Sequence, residues 1–348
     1  MHVEPPRPKA LFICGSLNQT TQMHQIAEAL PEVRPIFSPY YGNRDFRFLK
    51  AVGALEATIG GNKLGGRCLR YLHDHELEVD EGMHNHPDVD LVFHCSDLVV
   101  PDNIRDKKVI LVQEGMTDPP SLLFPLVRRL RFLPGWLGGT SCTGLSDAYD
   151  RFCVASEGFA DLFASRGVDR DKMVVTGIPN FDDCERYRHG DFPYEGCVLA
   201  CTSDVREVFW WENRDAFIEK ARRIAEERGK LLVFKLHPNE DRARARREIR
   251  RLAPAALIYE AGSAEQMVAK CDVLLCAYST LAFVGLALGK EVHSYFDQVE
   301  LARLLPLQNR SAAKNIAEVA RELLGLRRRA PASAESERQP RALIRRIA

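Results

Sequence analysis

The chain has 348 residues, 45% of them hydrophobic and 28% charged, and its 48 Lys and Arg balance 48 Asp and Glu. That length exceeds the roughly 250 to 300 residues at which a single core stops growing, so two domains are expected, with ample core for an enzyme. The balanced charge gives no footprint for nucleic acid, and no window approaches the ~18 to 20 apolar residues of a membrane span.

The first residues, "MHVEPPRPKALFICGS", carry neither a cationic leader nor a cleavage pattern, so a cytoplasmic protein is expected. Cys14, Cys95, Cys153, Cys201, Cys271 and Cys276, among ten cysteines, lie in or beside apolar strand-like runs, where a thiol behaves as a small hydrophobe. With no CxxC pair, structural thiols are expected and no metal or cofactor is implied.

In chain order, apolar runs at "KALFICG", "RPIFSP", "DLVFHC", "KVILVQ", "RFCVAS" and "KMVVTG" predict six strands in the first half. Helices such as "TTQMHQIAEAL" and "FADLFASRG" fall between them. The second half repeats the style with "CVLACTS", the helix "RDAFIEKARRIAEERG", "LLVFKLHP", "AALIYEA", "CDVLLCAYS" and "KEVHSYF", so a second set of strands is expected, one for each of these five apolar runs. This alternation predicts an α/β fold of two doubly wound, Rossmann-like domains with a ligand cleft where loops leave the carboxyl ends of the strands. The polar, turn-rich segment 179–196 reads as a linker between a domain at 1–178 and one at 197–326, followed by a basic tail at 327–348.

Candidate chemistry clusters at predicted strand ends. Gly15 and Ser16 open a helix, where backbone amides and a close backbone approach suit an anion, although any strand-to-helix turn can use Gly here. Asp97 follows a buried strand and reads equally as a helix cap or an acid. Glu114 follows the next strand, and desolvation there would favour use as a general base. Thr202, Ser203 and Arg206 precede a helix and could converge on a diphosphate, with Trp210 and Trp211 nearby to stack or pack. Lys235, His237 and Asn239 alternate along a strand end, which would put them on one face with Leu236 and Pro238 on the other. Ser279 and Thr280 stand at a helix start, as caps or as phosphate ligands. After Glu114, Arg128, Arg129 and Arg131 interleave with Leu126, Leu130, Phe132 and Trp136, a pattern that fits either a packed helix or an anionic membrane surface.

From about residue 10 to residue 320 the chain resembles the GT-B superfamily of nucleotide-sugar enzymes, two facing Rossmann-like domains. The most specific match is the superfamily's interdomain "V-T-G-x-P-x-x-D", here Val175 to Asp182. Two branches compete. Capsule-type glycosyltransferases using cytidine nucleotides are similar through "K-x-H-P", here Lys235 to Pro238, and through the Ser279-Thr280 pair before "GLALGKEV". Non-hydrolysing UDP-N-acetylglucosamine 2-epimerases are similar at Gly15-Ser16, Asp97, Glu114-Gly115, Arg206-Glu207, His237 and Ser279, but their acidic pair is replaced by Phe283-Val284. The resemblance implies a metal-independent glycosyltransferase, with a CMP-sugar ahead of a UDP-sugar. A nucleotide-sugar donor would bind the second domain, through Arg206, Lys235, His237, Ser279 and Thr280, while Glu114 or Asp97 deprotonates a carbohydrate or lipid-linked acceptor. Peripheral membrane contact would accompany such an acceptor. The alternatives are an epimerase and a nucleotide-sugar-binding protein without turnover.

Overall fold

The computed structural model describes residues 7–53, 55, 58–130, 133–203, 212–277, 279–295 and 297–326. Arg131, Phe132, Arg206, Glu207, Trp210, Trp211 and the tail at 327–348 therefore lie outside the described residues.

The first sheet is six-stranded and parallel, in the order β2-β1-β3-β4-β5-β6, from β1 (Lys9–Cys14), β2 (Arg34–Pro39), β3 (Leu91–His94), β4 (Lys108–Val112), β5 (Arg151–Val154) and β6 (Met173–Val175). Its helices are α1 (Leu17–Glu28), α2 (Arg44–Ala51), α3 (Asn62–Asp74), α4 (Phe124–Arg129) and α5 (Glu157–Arg166). The second sheet is parallel in the order β11-β10-β7-β8-β9, from β7 (Val198–Cys201), β8 (Leu232–Lys235), β9 (Leu257–Tyr259), β10 (Val273–Cys276) and β11 (Glu291–His293). Around it run α6 (Arg214–Glu227), α7 (Arg242–Leu252), α8 (Ala264–Lys270), α9 (Leu281–Ala287) and α10 (Gln298–Leu304), and the described chain closes with α11 (Ala312–Leu324). Among the described residues the second sheet has five strands, one for each of the five apolar runs of that half.

The apolar runs form strands because helices cover both sheet faces, so inward and outward side chains are both buried. On one face of the first sheet Phe12 stacks on Phe93 and Phe37, at centroid separations of 4.7 and 5.2 Å, beneath Met23 and Ile26 of α1 and Cys68 and Leu72 of α3. The other face packs Ile13, Val92, Leu111 and Phe152 into a core that continues into Leu199, Leu274 and Phe283 of the second domain. Side-chain caps define the helix starts: Ser16 accepts from Gln19 N, Ser156 from Phe159 N and Asp241 from Arg244 N. All ten cysteines are buried free thiols.

The last helix of the 197–326 span returns to the first domain: α11 packs Ile316, Ala317, Val319 and Ala320 into its α1 face. Arg321 bonds Glu32 and the Ala29 carbonyl, and Lys108 donates to the Leu323 carbonyl at 2.7 Å. The interdomain motif explains this return. Asp182 accepts the Ala312 amide at 2.8 Å, capping α11, and Gly177 turns at φ +76° directly against Ala312. Asn180 accepts from Gln25 and donates to Asn18 on α1, so the linker is bolted to the first domain.

Candidate active site

At the carboxyl end of β4 the chain makes the turn Gln113-Glu114-Gly115. Gln113 is 1% exposed, and its amide fixes the turn from both ends. Its Nε2 donates to the Gly115 carbonyl at 2.7 Å and its Oε1 accepts from Ala155 N at 2.8 Å. Gln22 reaches across from α1 to donate to the Gln113 carbonyl at 2.9 Å. Glu114 is thereby held half-buried, its Oε1 accepting from Ser16 Oγ at 2.8 Å and its Oε2 from Gln19 Nε2 at 2.6 Å. Gly15 and Ser16, expected at a phosphate, are committed to this cluster: the Gly15 amide donates to Gln19 Oε1 at 2.9 Å. Gln19 and Gln113 escaped the sequence reading because nothing in a lone Gln distinguishes a brace from a surface amide.

Asp97 is engaged by main-chain amides. It is 3% exposed, and its carboxylate accepts the Gly144 amide at 3.0 Å and the Ser146 amide at 3.2 Å. Gly144 sits at φ +86°, which presents its N–H to the carboxylate, so Asp97 pins a turn. Beside it His94 is buried, with Nδ1 3.0 Å from the Ser96 carbonyl. Burial pushes the His94 imidazole below its usual pKa, opposed by Asp97 and the Ser96 carbonyl, so the ring is a neutral structural group.

In the second domain the β7 and β8 ends share one buried network. Thr202 Oγ1 accepts from His237 N at 2.9 Å and contacts Glu240 Oε1, which also accepts from His237 N. Arg214 is 3% exposed and joins Glu240 at 3.3 Å and Glu212 at 2.9 Å, while its Nη2 donates to the Ser203 carbonyl. Ser203 Oγ donates to Glu212 at 3.3 Å. Thr202 and Ser203 thus brace the loops that carry His237, and Glu212, Arg214 and Glu240 are the partners the sequence did not single out.

The expected single face of Lys235, His237 and Asn239 is also corrected. Strand β8 ends at Lys235, so alternation stops there. Lys235 is 7% exposed and donates to the Leu236 carbonyl at 3.0 Å, and burial lowers its pKa against the opposing influence of Cys201 and Glu265. His237 is half-buried, and Pro238 and Asn239 are exposed. At the end of β10, Ser279 Oγ accepts from Leu281 N at 3.3 Å, and Thr280 makes no side-chain cap.

The two sheets' carboxyl ends meet. A Cβ at Gly115 would stand 2.8 Å from Thr280 Cγ2, which puts the Glu114 turn directly against the Ser279-Thr280 loop. Phe159 of α5 packs edge-on against Phe283 of α9 at 5.8 Å, and Phe283 and Val284 are buried at 1% and 0% exposure. The Phe283-Val284 pair is therefore core, with Phe283 in the seam between the domains. Among the described residues, no three His, Cys, Asp or Glu side chains are grouped so as to hold a metal ion, and no helix is long and apolar enough to cross a membrane.

No protein-family model and no curated sequence matches the chain. Solved structures do. The UDP-GlcNAc 2-epimerase of Neisseria meningitidis bound to UDP-GlcNAc is 13% identical with a TM-score of 0.55, covering 92% of this chain and 100% of that one. The Methanocaldococcus jannaschii enzyme in complex with UDP-GlcNAc and UDP is 12% identical at a TM-score of 0.53, covering 90% and 99%. The wall teichoic acid polymerase TagF is 10% identical at 0.51, covering 92% and 90%. The fold is GT-B. At these identities the likeness is one of architecture, and it spans both domains.

Proposed function

We propose that the protein is a glycosyltransferase that moves a sugar from a nucleotide-activated donor, a cytidine nucleotide ahead of a uridine one, to a lipid-linked or surface-polysaccharide acceptor at the membrane surface. The observation that supports this reading is the contact of the Glu114 turn with Thr280, which brings an acid of the first domain beside the Ser279-Thr280 loop proposed to hold phosphate. Glu114 takes the acceptor hydroxyl proton as general base, while Ser16 and Gln19 aim its carboxylate. The acceptor oxygen then attacks the sugar's anomeric carbon and the bond to the nucleotide phosphate breaks. Lys235, His237, Ser279 and Thr280 hold that phosphate and stabilise its developing charge, with Arg206 joining them from outside the described residues. A structure of TagF soaked with CDPG supports a cytidine nucleotide by analogy of fold.

The second reading is a UDP-N-acetylglucosamine 2-epimerase, supported by the likeness to such enzymes. The buried Phe283 and Val284 count against it, since neither offers a ribose hydroxyl a carboxylate. A binding protein without turnover is the third. Product analysis separates them. With UDP-GlcNAc alone the transferase releases no epimer, and with a CMP-sugar and acceptor it releases nucleotide. Epimer formed without acceptor would overturn the transferase reading, and donors that bind but stay unchanged would favour the third.

A further inference from the structure

Two elements of the first domain present apolar side chains to solvent among cations, and both leave the carboxyl edge of the sheet that carries Glu114. The first is α4 with the turn after it. Phe124 and Val127 face the core, whereas Leu122 is 100% exposed, Leu123 46%, Leu126 47% and Trp136 54%. Arg128 and Arg129 are exposed beside them, and no ion pair among the described residues engages either. The second is α2, which leaves β2. It buries no residue, exposes Phe48 at 66%, with Leu49 and the following Val52 at 37% and 60%, and carries Arg44, Arg47 and Lys50.

These surfaces are held in place rather than left loose. Buried Arg166 grips the base of the loop leading into α4, donating to Thr117 Oγ1 at 2.9 Å and to the Asp118 carbonyl at 3.1 Å. Phe46 anchors α2 on Tyr40, with ring centroids 5.7 Å apart, and Tyr40 bonds the Val99 carbonyl. Gly135, at the other patch, lies against Leu98. The 98–100 loop therefore ties the two elements together.

We propose that α2 on one side, and Leu122, Leu123, α4 and Trp136 on the other, form a two-part docking face for an anionic lipid bilayer, bracketing the acceptor side of the cleft. Short helices that alternate Leu, Phe or Trp with Arg and Lys suit an interface: the rings and aliphatic chains enter the headgroup boundary while the cations meet lipid phosphates. Asp45 is the one acid on α2, and among the described residues no ion pair engages Arg44, Arg47, Lys50, Arg128 or Arg129, so their charge is offered to an external complement. This deepens the transferase reading by naming where its lipid-linked acceptor is met, and it rests on that reading only for its purpose.

The test is co-sedimentation of the full chain with phosphatidylcholine vesicles, with and without about 30 mol% phosphatidylglycerol. Wild type should pellet with the anionic vesicles alone, and salt should release it. R44E/R47E and R128E/R129E should each weaken binding more than about tenfold, and L122S/L126S/W136S should do likewise at unchanged charge. Wild-type binding by these variants would overturn the proposal. So would loss in only one of the two charge-reversed pairs, or loss confined to a variant with Arg327, Arg328 and Arg329 changed to Gln. A light-scattering mass showing that the apolar variant splits a dimer, with vesicle binding unaffected, would assign the face to a second copy instead. Donor-induced thermal shift, read in the same variants, should stay at the wild-type value. Its absence even from wild type would sink the donor reading and leave the vesicle result standing.

Discussion

Glu114 accepts hydrogen bonds from Ser16 and Gln19, and Glu114→Gln keeps the volume and an acceptor oxygen while removing the base. Transfer should fall by roughly 10²- to 10⁴-fold in kcat. Donor-induced thermal shift should persist, because the donor's proposed ligands lie in the other domain. Retained turnover, or a loss of donor binding, would mean the carboxylate serves another role. His94 supplies a pH prediction. Burial depresses its pKa in the folded chain, so on acidification the unfolded chain takes up its proton first. The stability that neutral His94 contributes is complete above pH ~6.5, the unperturbed value, and is lost as the pH falls through the lower folded value. Denaturation midpoints of wild type should therefore drop from pH 7 to pH 5 by more than those of His94→Gln; parallel curves would contradict this. At this scale the sequence was partly legible. Glu114 stood out because an acid directly after a buried strand is unusual, yet Asp97 carried the same signal and proved to be a turn anchor. Only the fold decides which backbone amides meet a carboxylate, and the Gly144 turn lies far along the chain from Asp97.

Strands were the most readable elements, since two-sided burial writes an uninterrupted apolar run such as Leu91-Val92-Phe93. The destination of α11 was hidden. Its apolar face fits any sheet, and the capping acid, Asp182, lies 130 positions away from Ala312. Asp182→Ala should remove a buried acceptor from the α11 N-terminus and cost about 1 to 3 kcal/mol in equilibrium denaturation, with Asp182→Asn recovering part of it. Equal stability of all three proteins would show that the motif acid does not anchor the helix. The end of β8 was misread for a related reason: alternation along a strand predicts a shared face only while the strand continues, and it stops at Lys235.

Across the whole molecule, the first-domain core runs into the second through Phe159 and Phe283, and α10 lies against α5 at Gly158. A Cβ at Gly158 would collide with the main-chain carbonyl of Arg303, which cannot rotate away. Gly158→Ala should therefore displace α10 and destabilise the protein by about 1 to 3 kcal/mol, read as a lower thermal midpoint. An unchanged midpoint would mean the two helices separate freely. Two sheets, their carboxyl ends apposed, explain why residues as distant in sequence as Gly115 and Thr280 touch. The most direct test of the whole account is acceptor-dependent nucleotide release from a CMP-activated sugar, measured for wild type, Glu114→Gln and His237→Ala. Release by wild type, lost in both variants while each remains folded, is the predicted result. Release that proceeds equally in the variants, or an epimerised sugar formed from UDP-GlcNAc without acceptor, would contradict it.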